Sequence, residues 1–208
     1  MATVEGKGES PDFSQPWKFS DVVLVVEDKK LSHVHRPVLA LCSPVFEKMF
    51  TSEFQEKGKN EISLPRKKAN ELIQLLQIIY PSVSEKPTDQ IKEENCRFLL
   101  QLADEYQMDA IVRRCEDYIV TTLKRTRKGI IEELIFAQTY NLQKLKRTSI
   151  ELAKDLSLQQ LKRNKLYGKI NAENLQGILE EIIIRLEKEV SSLNNLSVSQ
   201  DNWYVESP

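Results

Sequence analysis

No stretch of this chain approaches the ~20 consecutive apolar residues that a membrane-crossing helix requires, so a membrane span is not expected. Cysteine is scarce: Cys42, Cys96 and Cys115 are odd in number and widely spaced. That excludes a disulfide framework and fits a reducing compartment. Histidine is scarcer still, with only His33 and His35. The opening residues, MATVEGKGES, lack an apolar centre and are not expected to act as a secretory signal. A net charge of -1 gives no whole-molecule attraction to nucleic acid or to an acidic membrane. No phosphate-binding glycine loop and no nucleophile–base constellation is present. What remains is an ordinary globular composition, 40% hydrophobic and 29% charged over 208 residues. A cytoplasmic or nuclear protein without cofactors is expected.

The patterning divides the chain. Residues 1–16 carry Gly, Ser, Pro and charge, and are expected to be a flexible lead-in. Val22–Val26 is a β-branched run that predicts a strand buried on both faces. A polar turn at Glu27–Lys30 returns the chain through Leu31–Val34 as a hairpin partner. Pro37 and Ser43-Pro44 each begin a short helix, Ser43 as cap and Pro44 at the first helical position. Val45, Phe46, Met49 and Phe50 then form an apolar stripe at helical spacing. A polar loop, a short strand at Glu61–Leu64 and an amphipathic helix over residues 67–80 follow. Ile91–Met108 reads as one helix, and Asp109 as the cap of the next, which reaches Leu123. Lys124–Lys128 is a charged joint. Beyond it only helical patterns occur, the clearest over Asn171–Val190, where Leu175, Ile178, Leu179, Ile182, Ile183, Leu186 and Val190 share one broad face. Residues 191–208 are polar and expected to be disordered. The fold class is α+β with an all-helical extension.

Several residues invite a chemical reading. His33 and His35 share one side of a strand, as a metal pair would. With no carboxylate or thiol completing a cage, the hairpin and the turn into the helix account for them better. Cys42 reads as a small core hydrophobe rather than an activated thiol. Asp21 and Arg36 flank the hairpin as a charged pair, fitting either a recognition groove or a salt bridge from strand to helix. The basic residues Lys124, Arg125, Arg127, Lys128, Lys144, Lys146, Arg147, Lys162, Arg163, Lys165 and Lys169 read as solvated helix faces, offset by Glu180, Glu181, Glu187 and Glu189. No helix-turn-helix, zinc finger or aromatic platform supports nucleic-acid binding. Phe54-Gln55-Glu56 differs from all of these. An aromatic beside a charge in a polar loop has the composition of a binding hot spot, although Phe54 can also tuck onto its own domain.

Asp21-Val22-Val23, His35-Arg36-Pro37-Val38-Leu39-Ala40, Ser43-Pro44-Val45-Phe46 and Met49-Phe50 together resemble the BTB (POZ) domain. Ile79-Tyr80 and Leu102-Ala103-Asp104-Glu105-Tyr106-Gln107-Met108 resemble its second half. The resemblance covers residues 17–123 and is nearest to the BTB part of MATH-plus-BTB adaptors. Residues 124–190 resemble, more loosely, the BACK or 3-box extension.

The resemblance implies a small three-stranded sheet with helical hairpins. It also implies a role as a protein-interaction module, a substrate-adaptor-type subunit of a cullin-3 ubiquitin ligase. On that reading Phe54 and Glu56 supply the hydrophobic-x-Glu contact to the cullin N-terminal region, joined by Tyr106, and another surface or a paired chain brings an unknown substrate. The competing reading is a BTB protein that self-associates or scaffolds without cullin. Two departures stand out. Pro11–Ser20 is too short and too proline-rich for the helix-and-strand arm of the usual swapped dimer. The hairpin step KKLSHVHR is one residue longer than the usual pattern, which a β-bulge can absorb.

Overall fold

The computed structural model describes residues 12–26, 29–51, 59–80 and 90–201. They divide into two compact units, Met1–Tyr118 and Ile119–Pro208.

The first unit is built on a sheet of order β2-β1-β3. Strand β1 (Val22–Val26) pairs antiparallel with β2 (Lys29–Val34) and parallel with β3 (Glu61–Ser63). Val22, Leu24 and Val26 are buried, while Val23 and Val25 are only half covered. The strand is thus shielded fully on one face and partly on the other, not equally on both. The period of two places alternate side chains on opposite faces, and only one face meets the helices. Opposite β1, the register steps from Val23↔His33 to Leu24↔Leu31, leaving Ser32 without a counterpart. This is the β-bulge that the long hairpin step called for. It keeps Leu24 and Val34 on the core side, where a one-residue slip would have turned them outward.

A parallel return needs a crossover, and two helices supply it: α1 (Arg36–Cys42) and α2 (Pro44–Thr51). After β3 come α3 (Ala69–Ile79), α4 (Cys96–Glu105) and the first half of α5 (Asp109–Thr126), whose residues from Ile119 on belong to the second unit. Leu39, Phe46, Ile62, Leu75, Leu99 and Met108 are among the buried residues that fill this core.

Three boundaries differ from expectation. Helix α4 starts at Cys96, not near Ile91, because the buried Asn95 side chain folds the preceding turn back on itself. Its Oδ1 accepts from the Lys92 N–H at 2.7 Å, and its Nδ2 donates to the Gln90 carbonyl at 2.8 Å. Asp109 is not a cap but the first residue inside α5, where a carboxylate suits the positive helix end. Gln107, at φ 54°, breaks the chain just before it. Lys124-Arg125-Thr126 belongs to α5, so the joint is shorter than KRTRK. Arg127 at φ 52° and Gly129 at φ 68° make the break.

The N-terminal residues are also more anchored than expected for a flexible lead-in. Phe13 is buried, and its carbonyl accepts from the His33 N–H at 2.9 Å. Its ring meets those of Trp17 and Tyr80 edge-on, with centroids at 6.3 and 5.5 Å. An aromatic that far into the chain buries enough apolar surface to order its neighbours.

The second unit is helical: α6 (Ile130–Thr139), α7 (Gln143–Ala153), α8 (Leu158–Arg163), a short 3-10 turn (Tyr167–Lys169) and α9 (Ala172–Asp201). Ile131, Leu134, Leu145, Leu161 and Ile178 are buried in it. Ser157 and Gln160 form a reciprocal capping box on α8. The polar sequence after Val190 does not stop α9, which runs to Asp201. In that stretch Leu193, Leu196 and Gln200 are good helix formers, and Ser191 and Ser192 return their hydroxyls to the carbonyls of Glu187 and Lys188.

Candidate interaction surface

Of the residues singled out by sequence, Asp21, Arg36 and Tyr106 lie against α1 or α2. Asp21, just before β1, does not meet the Arg36 guanidinium. Its Oδ1 accepts instead from the Arg36 backbone N–H at 2.8 Å. This corrects the expected side-chain pair: the carboxylate satisfies an orphan donor at the start of α1, where the helix end also favours negative charge. The Arg36 side chain is then free to turn elsewhere. Its guanidinium donates to the Lys59 carbonyl and lies 5.1 Å from the centroid of the Phe50 ring. A cation over an aromatic face is attracted by the ring quadrupole. Arg36 thereby ties the chain just before β3 to the C-terminal half of α2.

Ser43 is fully buried between α1 and α2. Its hydroxyl accepts from the Phe46 N–H at 3.1 Å and donates to the Tyr106 carbonyl at 2.5 Å. The Tyr106 ring stacks on Phe46 with centroids 4.7 Å apart and planes 11° from parallel. Phe46 stacks in turn against Phe50 at 5.9 Å. Tyr106 is only 3% exposed, and burial raises its phenol well above the usual tyrosine value. The expectation that Tyr106 offers its ring to a partner is therefore corrected. As the residue that ends α4, it is carried under α2 and braces that helix from within. Phe54, Gln55 and Glu56 lie outside the described residues, which resume at Lys59.

His35 sits at the entry to α1 and not in a metal pair. Its ring packs against Trp17 at 4.6 Å and Tyr80 at 5.8 Å, its Nε2 lies 2.7 Å from the Lys18 carbonyl, and its N–H donates to the Tyr80 hydroxyl at 2.9 Å. His33 is held through its backbone, whose carbonyl accepts from the Trp17 indole at 2.6 Å. Among the described residues no three His, Cys, Asp or Glu side chains gather as metal ligands do. Cys42 is exposed, contrary to the expectation of a core residue: it is the last residue of α1, at the open end of the helix. Partial burial raises its thiol, the opposite of activation. Of the basic residues, Arg127 pairs with Asp155 and Lys146 with Glu173 at 3.7 Å, as solvated helix faces would.

Periodicity did not single out two exposed side chains on the first unit. Phe19 is 91% exposed, at φ 61°, and Leu41 on α1 is 87% exposed. A bulky residue in the left-handed region is uncommon, and a large apolar side chain so open to water suits contact with another protein. Only the HRPVLALC spacing, which turns Leu39 inward and Leu41 out, carried a signal for either.

Comparison with known proteins agrees with this architecture. The BTB/POZ domain family profile matches residues 11–123. The chain is 32% identical over 179 residues to BTB and MATH domain-containing protein 36 of Caenorhabditis elegans, covering 84% of this chain and 52% of the relative. It is 31% identical over 164 residues to BTB and MATH domain-containing protein 38 of the same organism, covering 78% and 40%. It is 36% identical over 105 residues to Kelch-like protein 23 of Pongo abelii, covering 50% and 18%. The chain thus spans about half or less of the length of these relatives. With a three-stranded sheet, a helical crossover and a helical second unit, this chain belongs to the BTB/POZ domain family, a family of protein-interaction modules.

Proposed function

We propose that the chain is the interaction module of a substrate-adaptor-type subunit, docking the N-terminal region of a cullin-3 scaffold through Phe54 and Glu56. The observation that carries this reading is the bracing of α2. Its Phe46 and Phe50 are held by Tyr106, Ser43 and Arg36, and the helix ends at Thr51, directly before the segment that contains Phe54-Gln55-Glu56. A rigid helix end positions an anchor at low entropic cost, which is where affinity is won or lost. The similarity to BTB and MATH domain proteins supports the adaptor reading, in which a further domain or a paired chain brings the substrate. Calorimetry with purified cullin N-terminal region tests it. Wild type binds, and Phe54→Ala with Glu56→Ala weakens binding by about 100-fold or more, as loss of a hot-spot anchor does. An absence of wild-type binding, or indifference to the double substitution, refutes it.

A second reading rests on a different observation, the exposure of Phe19 and Leu41. In it the first unit associates with another BTB domain through this apolar pair, with no ligase attached. Sedimentation of the wild type and of Leu41→Lys tests it: a wild-type dimer that the lysine dissociates supports the reading, and a monomeric wild type removes it.

A further inference from the structure

The apolar residues of α9 divide into two stripes. One contains Ile178 and the half-covered Leu175 and Ile182, and Gly177 lets the Ile150 side chain of α7 come within 3.4 Å of where a Cβ would stand. This stripe is the core seam of the second unit. The other comprises Leu179, Ile183, Leu186, Val190 and Leu193, each between 39% and 66% exposed, with the exposed Ile184 at its edge. Sequence patterning merges the two into one inward face, but a helix surface cannot turn both stripes toward α7.

The spacing of the exposed stripe is 4-3-4-3, the alternation of a coiled-coil seam. Ile183 and Val190 occupy the a positions, and Leu179, Leu186 and Leu193 the d positions. Within parallel assemblies, β-branched a residues with leucine at d favour two strands. The flanking charges select the parallel orientation. In a parallel pair of identical helices, position g meets the following e of the partner helix, so Ile182 faces Glu187 and Glu189 faces Asn194, with no like charges opposed. In an antiparallel pair, e meets e, and Glu180 comes opposite Glu187.

We propose that this stripe pairs with the same stripe of a second copy of the chain, forming a short parallel two-stranded coiled coil. From Leu179 to Leu193 the seam is roughly 21 Å long at 1.5 Å per residue. So short a seam associates weakly and in a concentration-dependent manner. The contact is separate from Phe54, Glu56, Phe19 and Leu41, and stands or falls apart from the readings that use them.

Cross-linking tests it in the full chain. In a Cys42→Ser background, Leu193→Cys brings two d-position thiols together only in the parallel arrangement, while Cys96 and Cys115 remain buried. Mild oxidation is expected to give a disulfide-linked dimer. Adding Ile183→Lys and Leu186→Lys is expected to abolish it without changing the helical circular dichroism, since both positions face solvent. No disulfide, or one indifferent to the lysines, overturns self-pairing and points to a different occupant, such as a helix with basic flanks. Leu193→Cys chains that fail to link while a Val190→Cys chain links to a Leu179→Cys copy overturn the parallel orientation.

Discussion

The Ser43 hydroxyl bridges two elements far apart in sequence, accepting from the Phe46 N–H and donating to the Tyr106 carbonyl 2.5 Å away. A helix cap and a tertiary hydrogen bond therefore share one oxygen in a fully buried position. The first turn of α2 cannot shift without also breaking its tie to the end of α4. This couples the helix that precedes Phe54 to the core of its unit.

Ser43→Ala removes both bonds and strands two buried polar groups. An expected loss of about 2–3 kcal/mol follows, combining a lost cap with unsatisfied partners. Urea unfolding should show the midpoint fall with an unchanged m-value. A loss below half a kcal/mol would mean that water or a neighbour replaces the hydroxyl.

Asp21 and Arg36 respond differently to substitution. Asp21→Ala deletes the acceptor for the first N–H of α1 and is expected to cost about 1 kcal/mol, a typical cap value. Arg36→Met keeps the stem over Phe50 and the backbone N–H that Asp21 uses, so a smaller loss is expected, within about 0.5–1 kcal/mol. A double-mutant cycle between them should show little coupling, because their side chains do not pair. Strong coupling would restore the ion pair that sequence suggested.

The hairpin, the two short helices after it and much of the core were legible because β-branched runs, Pro-initiated helices and apolar periodicity are local signals, whereas the parallel pairing of β3 with β1 is not local. Ser43-Pro44 marks the cap and start of α2 by itself, and the long hairpin step marks the bulge. Four features were not legible. Asn95 shortened α4 through hydrogen bonds to residues that periodicity treats as helix. Tyr106 fell into the core because its direction depends on how α4 ends under α2. Asp21 found a backbone donor instead of the guanidinium, a choice set by the geometry of the entry to α1. The stripes of α9 were visible as apolar residues, but which one α7 would cover was not.

The N-terminal aromatic cluster should contribute to stability despite its position near the chain start. Phe13→Ala empties a buried site against Trp17 and Tyr80 and is expected to cost about 3–5 kcal/mol. Trp17→Phe keeps most of the ring area but loses the indole bond to the His33 carbonyl, an effect of about 1 kcal/mol. If thermal unfolding is unmoved by Phe13→Ala, residues 12–20 are not part of the folded unit.

In the second unit, Gln138 and the buried Asn174 hold the start of α9. Gln138 Oε1 accepts from Asn174 Nδ2 at 2.8 Å and from the Asn171 N–H at 3.1 Å, while its Nε2 donates to the Lys169 carbonyl at 3.1 Å. Gln138→Leu leaves these groups unpaired and should destabilise by about 1–3 kcal/mol. Adding Asn174→Leu removes the stranded amide and should recover part of that loss, since apolar replacement of both partners is less costly than of one. Strictly additive losses in urea unfolding would argue against a direct bond.

Alkaline pH should weaken the fold through buried acids that ionise late. Burial is the main cause in each case. It raises Cys115, fully buried with Cys96 nearby, from 9.0 to about 12, and Tyr80 from 10.0 to about 12. Tyr106 is raised further. These groups stay neutral in the folded chain but ionise at ordinary pH values when it unfolds, so the unfolded state gains stability first. The stabilisation is complete below pH 9 and is lost as pH climbs from 9 toward 12. Each unit of raised pKa corresponds to at most about 1.4 kcal/mol. Melting temperature against pH should bend downward above pH 9, and Cys115→Ala, though less stable at neutral pH for its small cavity, should bend less between 9 and 10. Parallel curves for the two proteins would show that Cys115 ionises equally readily folded and unfolded.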